Sequence, residues 1–156
     1  MKKTFRYKLN AGSSDHINPA QRIRLKTNNG LVGYQIKKLQ VIPGDPTDTT
    51  TESVIQIFSV EPETVDTDVI DFGNPTLMAV AHYSNHLSGS LYPEDSTIIF
   101  DSTIINQDMF IICKNDNTDK IMNIYLELEQ TKLSKDEATV ATLKDMRAGP
   151  DTNFGP

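Results

Sequence analysis

The sequence lacks several residue types on which common functions depend. It contains no tryptophan and a single cysteine, Cys113, among 156 residues. One cysteine excludes an internal disulfide and any metal site built from several cysteines. The apolar neighbours of Cys113 in FIICK predict a buried structural thiol rather than a nucleophile, because burial disfavours the reactive thiolate.

Long apolar stretches are also missing. No apolar run approaches the roughly 18 residues of a membrane span, and the first residues, MKKTFRYKLN, lack the apolar core of a secretory signal. We therefore expect a soluble, unprocessed chain with no membrane partner. A length of 156 residues fits one ordinary domain with its own core.

The familiar catalytic and metal-binding patterns are absent as well, including GxSxG, CxxC, HExxH and a glycine-rich phosphate loop. His82 and His86 are four residues apart, but they follow a strand-like run and have no third ligand nearby. Asp66, Asp68 and Asp71 in DTDVID lack the spaced oxygen ligands of a calcium loop, so a solvated acidic loop is favoured. We expect a protein that is not an enzyme and that has no metal or cofactor.

The sequence does contain a series of short apolar bursts separated by turn residues. Most of them alternate apolar and polar residues, the period of two that is typical of a strand with one buried face. The strand-like runs are FRYKL, RIRLK, VGYQIKKLQVI, SVIQIFSV, TLMAVAHY, STIIFDSTII, MFIIC and IMNIYLELEQ. We expect about nine short strands in a mainly β fold, either an antiparallel β-sandwich or a jelly-roll-like barrel.

Two details concern the connections. The tripeptide NNG at residues 28–30 predicts a tight hairpin turn between RIRLK and VGYQIKKLQVI. Within the second run Tyr34 and Ile36 are in one register and Leu39 and Val41 in the other, which indicates a bulge. Longer polar connections at residues 43–52 and 61–75 are predicted to lie on the surface.

One short α-helix is predicted at the C-terminal end, over about residues 135–147. Ser134 and Glu137 form an S-x-x-E capping box, which specifies where the helix begins. A helix of this length is marginal alone, so it must dock. Val140, Leu143 and Met146 form a narrow apolar stripe that predicts one contact surface. Residues 1–147 are interpreted as a single domain and residues 148–156 as an extended tail.

Charge is distributed very unevenly. Nine of the 15 basic residues precede Leu39, whereas residues 39–113 contain twelve acids and no Lys or Arg. Such a division suits an acidic partner or contact between copies of the chain, although a solvated basic surface is the alternative. Nucleic-acid binding is disfavoured because exposed aromatics do not interleave with the basic residues. The predicted interaction residues are Arg22, Arg24 and Lys26, on the outward face of one strand, with Lys37 and Lys38 across the hairpin.

The segment YLELEQTKLSKDEATVATLKDMR, residues 125–147, resembles a C-terminal segment of small virion structural proteins of marine tailed bacteriophages, cyanophages in particular. FDSTIINQDMFI, residues 100–111, is a weaker second match. Lys135 and Asp136 stand where Leu and Asn are common in these proteins, which leaves the capping box intact. The resemblance implies a virion component without catalytic residues, made in the host cytoplasm.

The same resemblance implies contact with other virion proteins, such as major capsid or tail proteins, in a homo-oligomer or symmetric array. We favour a multi-copy capsid decoration or stabilising protein. A tail or fibre-attachment subunit is the alternative within virions. A carbohydrate-binding sandwich is a weaker alternative, because such modules normally stack exposed aromatic rings on sugars and this chain has no Trp.

Overall fold

A computed structural model describes residues 1–11, 20–48, 50–62, 69–85, 95–115 and 120–148. This part of the chain contains eight strands, fewer than the nine or so expected, and one helix. The strands are β1 (Lys2–Ala11), β2 (Gln21–Ile23), β3 (Val32–Pro43), β4 (Thr51–Phe58), β5 (Leu77–Asn85), β6 (Asp95–Phe100), β7 (Met109–Asn115) and β8 (Lys120–Lys132). The helix α1 (Lys135–Ala148) ends one residue later than expected, and residues 149–156 of the predicted tail lie outside the described residues.

The strands form two antiparallel sheets that share one core. The three-stranded sheet has the order β1-β8-β3, and the five-stranded sheet has the order β2-β7-β4-β5-β6. Leu126 and Ile36 from the first sheet belong to the same buried cluster as Ile55 and Ile111 from the second. Burial of both inner faces in one cluster is the arrangement of a sandwich, so the predicted mainly β fold with one C-terminal helix is confirmed.

Most of the strand pairs are those of a jelly roll. The first strand pairs with the eighth, the second with the seventh and the fourth with the fifth. The remaining pair, β3 with the chain after β6, is present as a bridge in which Tyr34 and Ile105 exchange backbone hydrogen bonds of 2.7 and 2.9 Å. The described strands therefore have a jelly-roll-like arrangement, with the exception that β6 itself pairs with β5 instead of β3.

The sequence predicted that STIIFDSTII forms one strand. The bridge between Tyr34 and Ile105 explains why it does not. β6 pairs with β5 and ends at Phe100. The chain then leaves the five-stranded sheet and reaches β3, where Ser102 O accepts a hydrogen bond from the Gln35 side chain. The apolar run contributes to both sheets, so a continuous strand across residues 96–105 is wrong.

Alternating burial is clearest in β8, the centre of the three-stranded sheet. Met122, Ile124, Leu126 and Leu128 are all almost completely buried, whereas the intervening side chains face outward. On β3 the register shifts between Ile36 and Lys38, as the slipped phase predicted. The bulge keeps the apolar residues on both sides of it in the core, and it leaves Lys37 and Lys38 exposed.

The predicted hairpin at NNG is wrong, although the turn exists. Gly30 has a φ of 64°, which glycine adopts without strain, and its N–H donates to Thr27 O at 3.3 Å. However, β2 pairs with β7 and β3 pairs with β8, so the turn carries the chain from one sheet to the other. Turn chemistry fixes the local reversal, whereas the pairing partners depend on contacts distant in sequence.

The two long connections are only partly described. Pro43 ends β3 and Thr51 begins β4, so the first connection is shorter than expected. Within it, Asp48 accepts a hydrogen bond from the Lys120 ammonium, which joins this loop to the start of β8. In the second connection, residues 63–68 lie outside the described residues.

Candidate interaction surfaces

The residues considered for metal binding have ordinary partners where they are described. His82 Nε2 lies 3.1 Å from Glu52 Oε1, and Asp71 Oδ1 accepts the Gly73 N–H at 2.8 Å. His86, Asp66 and Asp68 lie outside the described residues. Within the described ranges no three or more His, Cys, Asp or Glu side chains group closely enough to hold a metal ion. None of the helical residues described there makes a segment long and apolar enough to cross a membrane.

Cys113 lies in the core on β7, as its apolar neighbours predicted. Burial raises the pKa of its thiol to about 12, because a thiolate would lose its hydration there. The thiol is therefore protonated at neutral pH and shielded from solvent.

The capping box at the start of α1 is formed as predicted. The Glu137 N–H donates to Ser134 Oγ at 3.2 Å, and the Ser134 N–H donates to Glu137 Oε2 at 2.7 Å. The bond from the Ser134 backbone lowers the pKa of Glu137, because it stabilises the carboxylate. The first turn of α1 is thus fixed directly after β8.

Asn106 fastens α1 to the sandwich. This side chain is fully buried, and its Nδ2 lies 3.1 Å from Gly30 O, 3.2 Å from Ala138 O and 2.9 Å from Thr142 Oγ1. Ala138 is itself buried, so α1 docks through small and polar residues. One amide therefore joins the helix, the NNG turn and the crossover after β6.

The predicted apolar stripe lies on the part of α1 that does not dock. The exposed fractions are 64% for Val140, 46% for Leu143 and 72% for Met146. The expectation that the helix docks was correct, but its own domain contacts Ala138 and Thr142 instead of these larger residues. We call Val140, Leu143 and Met146 the helix stripe. It remains available as a contact surface.

Arg22 has a structural partner, Asp108. Its Nε lies 2.7 Å from Asp108 Oδ2, while Asp108 Oδ1 accepts the N–H groups of Leu25 and Lys26, each at 2.8 Å. Burial acts to raise the pKa of Asp108, but these hydrogen bonds and the guanidinium outweigh it, so the pKa is lowered. Arg22 therefore helps to hold the chain after β2 in place.

The five basic residues predicted to form one surface are divided between the two sheets. Arg22 lies on β2 of the five-stranded sheet, and Arg24 and Lys26 follow in the exposed segment just after it. Lys37 and Lys38 lie on β3 of the three-stranded sheet. The predicted proximity across a hairpin is therefore wrong, because the hairpin does not form.

A different basic surface is assembled on the outer side of the three-stranded sheet, which we call the outer basic face. It comprises Lys2, Arg6, Lys8, Lys37 and Lys38. Lys2 pairs with Glu127 at 2.8 Å and Lys37 with Glu129 at 3.0 Å.

The remaining basic residues of this face surround an aromatic ring. Arg6 is directly opposite Tyr125 in the β1–β8 register, and the Lys38 ammonium lies 5.8 Å from the centre of its ring. Lys8 is the next outward residue along β1. The centre of the face is therefore net positive. Of the three basic residues nearest the ring, Arg6 and Lys8 lie on β1 and Lys38 lies on β3.

Sequence reasoning missed Asn106, which holds α1, and Asp108, which holds the chain after β2. Both belong to the polar triplet NQD, which separates two apolar runs and could have indicated buried hydrogen bonding. The outward position of Arg6 and Lys8 did follow from the alternation in FRYKL. Their combination with Lys38 did not, because β1 and β3 are brought together only by β8.

Comparison with protein-family models found no match to this chain, and comparison with curated proteins found no significantly similar sequence.

Proposed function

We propose that this protein is a virion structural protein of a tailed bacteriophage, present in many copies as a capsid decoration or stabilising protein. The observation that carries the proposal is the helix stripe, an exposed apolar surface on a firmly attached helix. Val140, Leu143 and Met146 point three large apolar side chains into solvent. Contiguous exposed apolar residues are typical of surfaces that another protein covers.

The contacts that hold α1 in place favour a role in which the helix stripe is presented to a partner protein. The capping box fixes its start, and Asn106 holds Ala138 and Thr142. Such fixed geometry lowers the entropy lost when a partner binds, because the helix is already ordered. A protein that contributes a preformed apolar helix is suited to repeated attachment at equivalent positions of a shell.

The two segments that carry the phage resemblance meet at this helix. Asn106 belongs to the weaker match, residues 100–111, and its partner Thr142 belongs to the stronger one, residues 125–147. This contact supports reading the resemblance as one structural unit. The jelly-roll architecture also occurs in viral capsid proteins and lectins, which is support by analogy of fold alone.

A carbohydrate-binding role has less support from the described surface. An open groove of about 600 Å³ lies between the start of β8 and the loop after β3, with Lys8, Asp45, Asp48 and Lys120 in its lining. None of the described residues that line this groove has an aromatic ring, so they offer a sugar no stacking surface.

The decisive experiment uses purified particles of the phage that encodes the chain. We expect the protein to be present in many symmetry-related copies in a cryo-electron microscopy map, with α1 facing the shell. A position on the tail would support the alternative of a tail or fibre-attachment subunit. Absence from the particles would overturn the proposal.

A matched pair of variants tests the helix stripe. Leu143→Lys should abolish attachment to particles that lack the native protein, because it places a charge in an apolar contact. Thr97→Lys places the same charge at an exposed position on β6 of the five-stranded sheet, away from the helix, and should leave attachment unchanged. Attachment of the parent should persist in 1 M salt, where the Debye length is about 3 Å, because apolar contact does not depend on charge screening. Equal attachment of both variants would refute this role of α1.

A further inference from the structure

The first strand, β1, has an open edge among the described residues. It is ten residues long and pairs with β8 along its entire length. It is the outermost strand of the three-stranded sheet, and no described strand lies on its other side. An open edge of this length is a template for one more strand.

The backbone groups that face this edge can be assigned from the ladder. Met1 O accepts the Gln130 N–H at 2.8 Å, and the Met1 amino group donates to Gln130 O at 3.3 Å. In an antiparallel ladder, directly hydrogen-bonded residues alternate with residues whose N–H and C=O groups point to the other side. The groups directed at the open edge therefore belong to Lys2, Thr4, Arg6, Lys8 and Asn10.

The two faces of β1 differ in chemistry. Toward the core, Phe5 and Tyr7 are only half-buried, and their rings stack at a centroid distance of 6.4 Å and an interplanar angle of 5°. Toward solvent, Arg6 and Lys8 are exposed beside Tyr125 and Asn123. Phe5 and Tyr7 thus form an apolar surface on one side of the open edge, and Arg6 and Lys8 form a positively charged surface on the other.

We propose that β1 binds an extended acidic segment of a partner protein as an added antiparallel strand. Such a segment alternates acidic with β-branched apolar residues. Its acidic side chains would lie opposite Arg6 and Lys8, and its apolar side chains would cover the rings of Phe5 and Tyr7. Strand addition supplies affinity through the backbone, whereas the alternating side chains supply specificity.

The same basic residues select against a second copy of β1. Antiparallel pairing of two β1 edges would place basic side chains opposite each other, which is unfavourable. An acidic strand removes that repulsion and replaces it with attraction, so the edge discriminates between partners by charge. This inference is independent of the helix stripe, which lies on a different element.

The test uses the full-length protein and the blocked synthetic peptide VEVDVEVT. On binding, hydrogen exchange should slow about tenfold or more at the amides that face the open edge and lie opposite the peptide, in particular those of Thr4, Arg6 and Lys8, because these gain a partner. The amides of Phe5 and Tyr7, already bonded to β8, should change much less. Affinity should fall about tenfold between roughly 0.05 M and 0.5 M salt.

Controls separate backbone pairing from general charge attraction. The peptide VKVKVKVT should not bind, and VEVPVEVT should bind weakly because proline lacks an N–H. Arg6→Glu with Lys8→Glu should weaken binding of VEVDVEVT about tenfold or more, whereas Arg24→Glu, which changes an exposed charge in the segment after β2, should not. The proposal would be overturned if VEVDVEVT failed to bind, or if exchange slowed without alternating between successive β1 amides. The basic residues would then serve only to prevent edge-to-edge aggregation. The exchange pattern of the parent decides the matter even if the double variant does not fold.

Discussion

The side-chain nitrogen of Asn106 lies 2.9 Å from the hydroxyl oxygen of Thr142, across 36 residues of sequence. Thr142 Oγ1 in turn donates to Ala138 O at 2.9 Å, so the hydroxyl that contacts Asn106 is also hydrogen-bonded within α1. The contact between the buried amide and this hydroxyl therefore helps to set the orientation of the helix stripe.

Loss of the Thr142 hydroxyl should loosen the helix. Thr142→Ala is expected to reduce the free energy of unfolding by about 1 kcal/mol, because the buried Asn106 amide loses an acceptor. Thr139→Ala is the matched control: Thr139 also donates to the carbonyl four residues earlier, at 2.8 Å, but it is exposed. Urea unfolding of both variants measures the difference. Equal losses would mean that the Asn106 contact contributes nothing.

The capping box should contribute measurably to stability. Ser134→Ala is expected to cost about 1 kcal/mol of unfolding free energy, since the Glu137 N–H loses its acceptor. Ser134→Asp keeps an oxygen acceptor at the same position and should restore most of that loss. Thermal or denaturant unfolding compares the three proteins. If Ser134→Ala unfolds like the parent, the cap is not what fixes the start of α1.

Asp108 should make stability depend on pH. Its pKa is lower in the folded chain than in the unfolded chain, so the carboxylate stabilises the fold above its unfolded pKa of about 3.9. That stabilisation is lost as the pH falls through the lower, folded pKa. Asp108→Asn should therefore cost about 2 kcal/mol at neutral pH. The difference from the parent should shrink in acid.

The control for this titration is Asp101→Asn, which changes an exposed carboxylate after β6. It should alter the free energy of unfolding little at any pH. Denaturant unfolding from neutral pH to about pH 2 gives both curves. A pH-independent effect of Asp108→Asn would show that its role is steric instead of electrostatic.

Cys113 should be unreactive until the chain unfolds. Burial and a pKa of about 12 leave almost no accessible thiolate at pH 8. A chromogenic disulfide reagent should therefore modify the native protein far more slowly than the protein in denaturant, with a stoichiometry of one thiol per chain only after unfolding. Rapid modification of the native protein would contradict the buried position.

Features encoded by neighbouring residues could be predicted from the sequence. The alternation in β8 defines its buried face because successive strand side chains point to opposite sides. The bulge between Ile36 and Lys38 was visible for the same reason, as a change of phase. The capping box was visible because both of its hydrogen bonds lie within four residues.

Features that depend on distant residues could not be predicted in this way. The NNG turn has the expected local chemistry, yet β2 and β3 pair with different strands. The stripe on α1 was identified, but which side of the helix docks depends on the buried Asn106 amide, 36 residues from Thr142. Local pattern thus indicated the residues of the helix stripe, whereas tertiary packing decided which side of the helix stays exposed and which basic residues share one face.

The pairing of the first strand with the last has a consequence for biosynthesis. β1 leaves the ribosome first, but its partner β8 begins only at Lys120. The three-stranded sheet, with β8 at its centre, cannot assemble on a partial chain, and closing so long a loop is slow. During synthesis the basic N-terminal segment remains without its native neighbour, and its like charges disfavour association between nascent chains. The three-stranded sheet is therefore completed only when β8 inserts between β1 and β3.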